Sequence, residues 1–460
     1  MSKGKGNGGE SQRSVQHLAV IQPNVAGIDL AAEEHWVCGP AREDGKPNVQ
    51  RFGTRTHELD ALADWLKAQG VKSVAMESTG VYWIPPYELL ESRGIEVLLV
   101  NARQLSHVPG RKTDMQDCQW LQLLHSCGLL RGSFRPKEAI CKLRALHRQY
   151  ANLVAERSRA IQWMQKALDQ MNVQVHRAVS DLSGKTGLAI VRAIVAGERD
   201  PMRLAQNRDF HCRKSVEVIA TYLRGNWRDE HLFNLKMALV LYDQIAQMLS
   251  DYETELARQM EAMQPPDRRD VSVPPHPNRT KEGVIRSRGE QGQRTGLWRF
   301  AGVDLTRIDG LRPDACRLVL TEIGPDLSAF PSEKHFVSWL RLSPRTAISG
   351  GKVLPRRRNA TGATRIAGVL RMAALAVGKS KTALGAAYRR LARRKGADVA
   401  VFAIARKLAT LIYRMLRFGQ DYIDEGMQAY EARFEAQRLH NLHSAAKQLG
   451  YQLIPLETTP

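Results

Sequence analysis

The sequence predicts a mixed α/β domain followed by a long helical middle and a mostly helical, strongly basic C-terminal domain. Three observations carry this reading. Short β-rich apolar runs alternate with helical periodicity over residues 20–132, apolar residues recur in steps of three and four over 136–263, and Lys and Arg concentrate after Arg341.

Residues 1–19 are rich in Gly, Ser and Lys and read as a disordered tail. A strand is expected at 25–30, a hairpin from 34–38 and 49–53, and a helix over 56–69. A second strand follows at 71–76, then a helix, a strand at 96–101, and a helix opening near Asp114. Four carboxylates fall at defined places in this order. Asp29 in VAGIDLA and Glu77 in VAMESTGVYW lie at or near strand ends. Asp114 and Asp117 in RKTDMQDCQW are three apart at a helix start, so they share one face.

Each of these acids has an ordinary structural use, since Asp caps turns and an acidic pair offsets a helix dipole. Their combined order argues for more. Four carboxylates at close range repel and take up protons unless a cation sits among them. Hard oxygen ligands select Mg²⁺, or Mn²⁺, over zinc. Two such ions about 3.5–4 Å apart can activate one oxygen and stabilise another at a phosphorus centre. The layout over 20–132 resembles an RNase H-like fold of the RuvC-like kind.

The middle region, 136–263, carries two periodic stretches. Leu143, Leu146, Tyr150, Leu153, Ala160, Met164, Ala167 and Met171 form one, broken at Arg157. Tyr242, Ile245, Leu249, Tyr252, Leu256 and Met263 form the other, with Gln259 on the seam. They suit either an antiparallel hairpin or an oligomerising coiled coil. An insert at 180–232 separates them. The prolines of 264–296 predict a flexible linker. A C-terminal domain over 297–425 precedes a helical tail at 426–460. Within it, Ile308, Asp309 and Gly310 before Leu318, Val319, Leu320 and Ile323 predict a helix-hairpin-helix whose amides can meet a phosphate. Asp304 reads as structural, and His335 and Trp339 as core.

The charge surplus is +21, with pI near 9.9, which points to a polyanionic partner. From 341 to 417 there are 19 Lys or Arg against one acid, Asp398, so the surplus and the carboxylates lie far apart in sequence. This segment holds Ser349 on a Gly-flanked turn among Arg345, Lys352, Arg356, Arg357, Arg358 and Arg365. A hydroxyl on such a turn can approach a phosphorus, and guanidiniums can stabilise the transition-state charge. The six cysteines have no Cys-x-x-Cys spacing, so neither structural zinc nor a disulfide framework is expected, and reduced thiols are. Without a signal peptide or an 18-residue apolar run, a soluble, cytoplasmic protein is expected.

Asp29, the run from Glu77 to Tyr82, and Lys112, Thr113, Asp114, Met115, Gln116 and Asp117 resemble the DEDD signatures of insertion-sequence 110 family transposases. Arg307–Gly310, 336–344, Ile348, Ser349 and Gly350, and 365–376 resemble that family's C-terminal transposase domain. The resemblance implies a bacterial, nucleoid-associated recombinase guided by a bridge RNA that pairs with target and donor DNA. It implies Mg²⁺ on the four carboxylates and a 5′-phosphoserine link on Ser349. It further implies a tetramer of two dimers, with the carboxylates of one subunit completing a site with the serine of another. A metal-dependent junction nuclease or invertase, and a non-catalytic nucleic-acid-binding protein, are the alternatives.

Overall fold

The computed structural model describes residues 19–42, 44–78, 80–101, 114–343, 348–349, 352–353, 364–420 and 425–454, with backbone alone at 114, 348–349 and 352–353. The chain divides into two compact units, 1–135 and 136–460.

In the first unit, β1 (Val25–Leu30), β2 (Glu34–Gly39), β3 (Asn48–Gly53), β4 (Ser73–Glu77) and β5 (Glu96–Val100) form one sheet in the order β3-β2-β1-β4-β5. β1 runs antiparallel to β2 and parallel to β4, and β4 parallel to β5. This mixed five-stranded sheet is consistent with an RNase H-like domain. Strand alternation sorts the side chains onto two faces. Ala26, Ile28, Leu30, Val74 and Met76 face a core completed by Leu62, Ala63 and Leu66 of α1 (Thr56–Ala68) and Tyr87 and Leu90 of α2 (Ile84–Ser92). Ala75 and Val100 face the other way, onto Leu121 and Leu124 of α3 (Asp114–Ser126). Arg135 closes the unit: its guanidinium lies 3.9 Å from the Tyr87 ring centroid and 3.0 Å from Glu88.

In the second unit, α4 (Glu138–Gln170) and α9 (Asp229–Ala262) pack along one another. The Tyr150 hydroxyl donates to Glu253 at 2.7 Å, while Met164 and Leu168 share a core with Leu235 and Leu239. Rising numbers on one helix meet falling numbers on the other, so the pair is antiparallel. The two periodic stretches therefore find each other within the chain, which buries Leu249 and Leu256. Between them, α5 (Val175–Ala178), α6 (Lys185–Val195), α7 (Pro201–Ala205) and α8 (Val216–Tyr222) cap the open end of the pair.

Residues 264–296 differ from the flexible linker expected of their prolines. They contain a 3-10 turn (Pro266–Arg268), α10 (Arg279–Ser287) and the start of α11 (Gln291–Ala301). Arg294 is 1% exposed, 2.7 Å from Asp304, and donates to the Pro274 carbonyl at 2.7 Å. A buried guanidinium needs partners, and these partners lie ten and twenty residues away, beyond the reach of local turn signals. Asp304 also accepts from the Thr306 amide at 3.0 Å, a structural use as expected.

The expected helix-hairpin-helix departs from its pattern as well. Before Gly310 stands only a three-residue 3-10 turn, Leu305–Arg307, and after it α12 (Pro313–Ile323). Gly310 has φ +82°, and a Cβ there would stand 2.5 Å from Val377 and 2.8 Å from the Ala373 carbonyl. This glycine allows close packing on α14 (Arg365–Gly378).

Helix α13 (Glu333–Trp339) buries Phe336 and Val337. Seven residues make a narrow buried face, and His335 falls outside it. Contrary to expectation His335 is exposed, bonded to Ser332 at 2.8 Å, while Trp339 is half-buried against Phe330 and Phe336. A two-strand hairpin follows, β6 (Ile348–Ser349) and β7 (Lys352–Val353), then α14, α15 (Ala383–Lys395) and α16 (Ala397–Phe418). The Tyr413 hydroxyl of α16 donates to the Phe330 carbonyl at 2.8 Å and fixes α13 in place. A last helix, α17 (Met427–Gln448), lies mostly in solvent. Among the described residues no helix is long and apolar enough to cross a membrane.

Candidate metal centre

The parallel register of β1 and β4 pairs Gly27 with Ala75 and Ile28 with Met76. One residue further on, Asp29 and Glu77 end adjacent strands on the face that carries Gly27 and Ala75. Glu77 is in turn level with Val100 on β5. Two carboxylates thus leave the C-terminal edge of the parallel strands on the side of the sheet covered by α3.

Helix α3 sits on that side because Gly27 lacks a side chain. A Cβ at Gly27 would stand 2.4 Å from both the Cys118 carbonyl and the Gln122 amide, and 2.8 Å from Leu121. The helix axis therefore lies against the backbone of β1, closer than any larger residue would permit. Asp117 directly precedes Cys118 in this contact, partly buried, and Asp114 opens the helix one turn earlier. The side chain of Asp114 lies outside the described residues.

Two thiols line the contact. Cys38 is level with Gly27 in β2, and Cys118 lies over Gly27 in α3. The neighbouring Cys38 sulfur, which accepts rather than donates, burial and the nearby charge of Asp29 all push the Cys118 thiol up, and its Sγ donates to the Met115 carbonyl at 3.1 Å. Cys38 and Cys118 were not singled out as site neighbours by sequence, and Gly27 was the signal that could have found them.

Asp29, Glu77 and Asp117 are oxygen donors from three separate elements, each partly exposed. That donor set fits a hard divalent cation. Among the described residues no three acidic, His or Cys side chains are clustered tightly enough to hold an ion unaided.

In the second unit, the β6–β7 register sets Ser349 opposite Lys352 at the closed end of the hairpin. Arg345, Arg356, Arg357 and Arg358 lie outside the described residues. Arg365 is exposed at the first position of α14, where Thr364 caps the helix by accepting from Ala367 at 3.1 Å. A cation at a helix N-terminus opposes the helix dipole, and an anion bound there relieves the conflict. Sequence reasoning did not separate out a further exposed basic group: Arg393, Arg394 and Lys395 at the end of α15, and Arg406 and Lys407 on α16.

Comparison with known families adds two matches. The model of the IS110-type DEDD domain, described as a transposase, matches residues 26–173, and one described as Transposase IS116/IS110/IS902 family matches 303–389. Together they span just over half of the chain, one over the carboxylates and the other over the Ser349 hairpin. No curated protein matches the chain.

Proposed function

The chain belongs to the IS110 family of transposases, enzymes that act on DNA, and from that premise we propose that it cuts and rejoins strands through its carboxylates and a serine nucleophile. The observation that supports this reading is the seating of α3 on β1 at Gly27, two residues before Asp29, through Cys118, the residue that follows Asp117.

Asp29, Glu77, Asp114 and Asp117 would hold Mg²⁺, or Mn²⁺ in its place. When bound, the metal supplies positive charge that polarises a phosphate and stabilises a departing oxygen. The Ser349 hydroxyl attacks the phosphorus, the bond from phosphorus to the 3′ oxygen breaks, and that oxygen takes the proton serine gives up. The 5′ phosphate then stays on serine. Attack by a different 3′ hydroxyl reverses the step and joins a new strand, so the bond energy is kept without a nucleotide cofactor. Arg345, Lys352, Arg356, Arg357, Arg358 and Arg365 neutralise phosphates around the serine turn. Target and donor DNA are selected by pairing with a bridge RNA, and subunits assemble as a tetramer in which one copy's carboxylates face another's serine.

Trapping tests the chemistry. Denaturing gels of protein incubated with donor DNA should show a covalent adduct that Ser349→Ala abolishes. An adduct surviving in Ser349→Ala would remove serine from the mechanism. Excision unchanged in Asp29→Ala or Asp117→Ala would remove the carboxylates.

A further inference from the structure

Helix α17 lies outside both family matches, and its first turns account for its packing within the chain. Tyr430 is buried, and the Arg390 guanidinium of α15 lies 4.9 Å from the Tyr430 ring centroid and 3.6 Å from that of Phe434. From Glu435 to Gln448 the helix runs on almost entirely exposed, an arm of about 20 Å at 1.5 Å per residue.

This arm carries an apolar seam. Ala432, Glu435, Leu439, Leu442, Ala446 and Leu449 follow in strict steps of three and four, and Leu439, Leu442 and Leu449 are 56%, 47% and 76% exposed. A seam of that period fits a second helix of the same kind. Glu435 stands on the seam near the start of the arm and Lys447 near its end, while Arg433, just before the arm, is paired with Glu425.

We propose that α17 pairs antiparallel with α17 of a second copy of this chain. The polarity follows from Glu435. In a parallel pair this seam carboxylate would meet its own copy, two like charges in an apolar layer. In an antiparallel pair with Leu439 level with Leu442 of the partner subunit, Glu435 falls level with Ala446 of the partner subunit and beside Lys447 of the partner subunit. The same register sets Ala432 level with Leu449 of the partner subunit, small against large. A two-fold axis between Leu439 and Leu442 makes the contact self-complementary and closed. This pairing does not depend on the chemistry assigned to Ser349.

Full-length Glu435→Cys and Ala446→Cys proteins, with distinguishable tags, test it under mild oxidation without nucleic acid. The mixture should give a covalent heterodimer, whereas each variant alone and the parent chain should not. Self-linking of Glu435→Cys would establish the parallel pairing and overturn the proposal, as would absence of any covalent dimer in the mixture. Leu439 is exposed in the single chain, so Leu439→Lys should leave the fold intact. It should weaken self-association at least tenfold in sedimentation, and unchanged association would also overturn the proposal.

Discussion

Gly27 of β1 lies directly beneath Cys118 of α3, with 2.4 Å between the Cys118 carbonyl and the place where a Gly27 Cβ would be. This one contact sets how near the Asp117 turn comes to Asp29. Gly27→Ala must push α3 away or bend β1, because both obstacles are backbone. Overpacking of this kind costs about 1–3 kcal/mol, and displacing a catalytic group by about 1 Å costs about 100-fold in rate. Gly27→Ala is therefore expected to lower the melting temperature modestly and excision severely. Gly292→Ala, with no atom within 4 Å of its Cβ position, should change neither.

The Arg294–Asp304 pair makes a different prediction, about stability. Both side chains are buried, at 1% and 7% exposure, and Asp304 also receives the Thr306 amide. Removing one partner leaves the other charge buried, which costs about 3–5 kcal/mol. Arg294→Met should lower the urea midpoint by a corresponding amount. A midpoint unchanged in Arg294→Met would mean that 264–296 behaves as the linker its prolines suggested.

His147 couples stability to pH. Its ring is buried on α4, stacked on Tyr150, and burial first, then the charge of Arg317, lowers its pKa to about 4. Arg365 adds to this lowering, while Glu322 and Asp314 oppose it. The unfolded chain accepts a proton near pH 6.5 that the folded chain refuses until about pH 4. Stability is full above 6.5 and declines as pH falls through that window, by on the order of 3 kcal/mol. His35, His125 and His276 are lowered by burial too, so the whole chain has a composite slope. His147→Phe keeps the stacking and should flatten the slope of unfolding free energy between pH 6.5 and 4.5. A slope as steep as that of the parent would place the proton elsewhere.

Particular residues show which features the sequence could reveal. The strand positions of Asp29 and Glu77 follow from short apolar runs rich in β-formers, because these strands are buried on both faces. The α4–α9 seam is equally visible, yet its partner is not: a heptad specifies a complementary helix and leaves open whose it is. Arg294 and Gly27 were opaque for a related reason. The cost of burying Arg294 is met by Asp304 and Pro274, and the need for glycine at 27 comes from a helix about ninety residues later. His335 misled because seven residues of helix bury too narrow an arc for its position to be inferred from apolar neighbours.

The exposed basic residues of α15 and α16 lead to the last prediction. Arg393, Arg394 and Lys395 stand in the final turn of α15, where cations favour the helix dipole by about 0.3–1 kcal/mol each. That alone could account for them. If they also contact phosphate, each displaces counterions from the nucleic acid, and the logarithmic salt dependence of binding steepens by about 0.9 per contact. Replacing all three with alanine then lowers the slope by about 2–3, roughly equally for related and unrelated DNA, because phosphate contacts carry no sequence information. A purely structural role would lower the melting temperature and leave the slope unchanged. Arg414 is the internal comparison: Glu333 sits 2.7 Å away, and its carboxyl is held below the usual range by that contact. Because Arg414 is already neutralised within the chain, Arg414→Ala should leave the salt slope where it was. A slope that falls as much for Arg414→Ala as for the α15 triple variant would mean that net charge, and not the position of these side chains, governs binding.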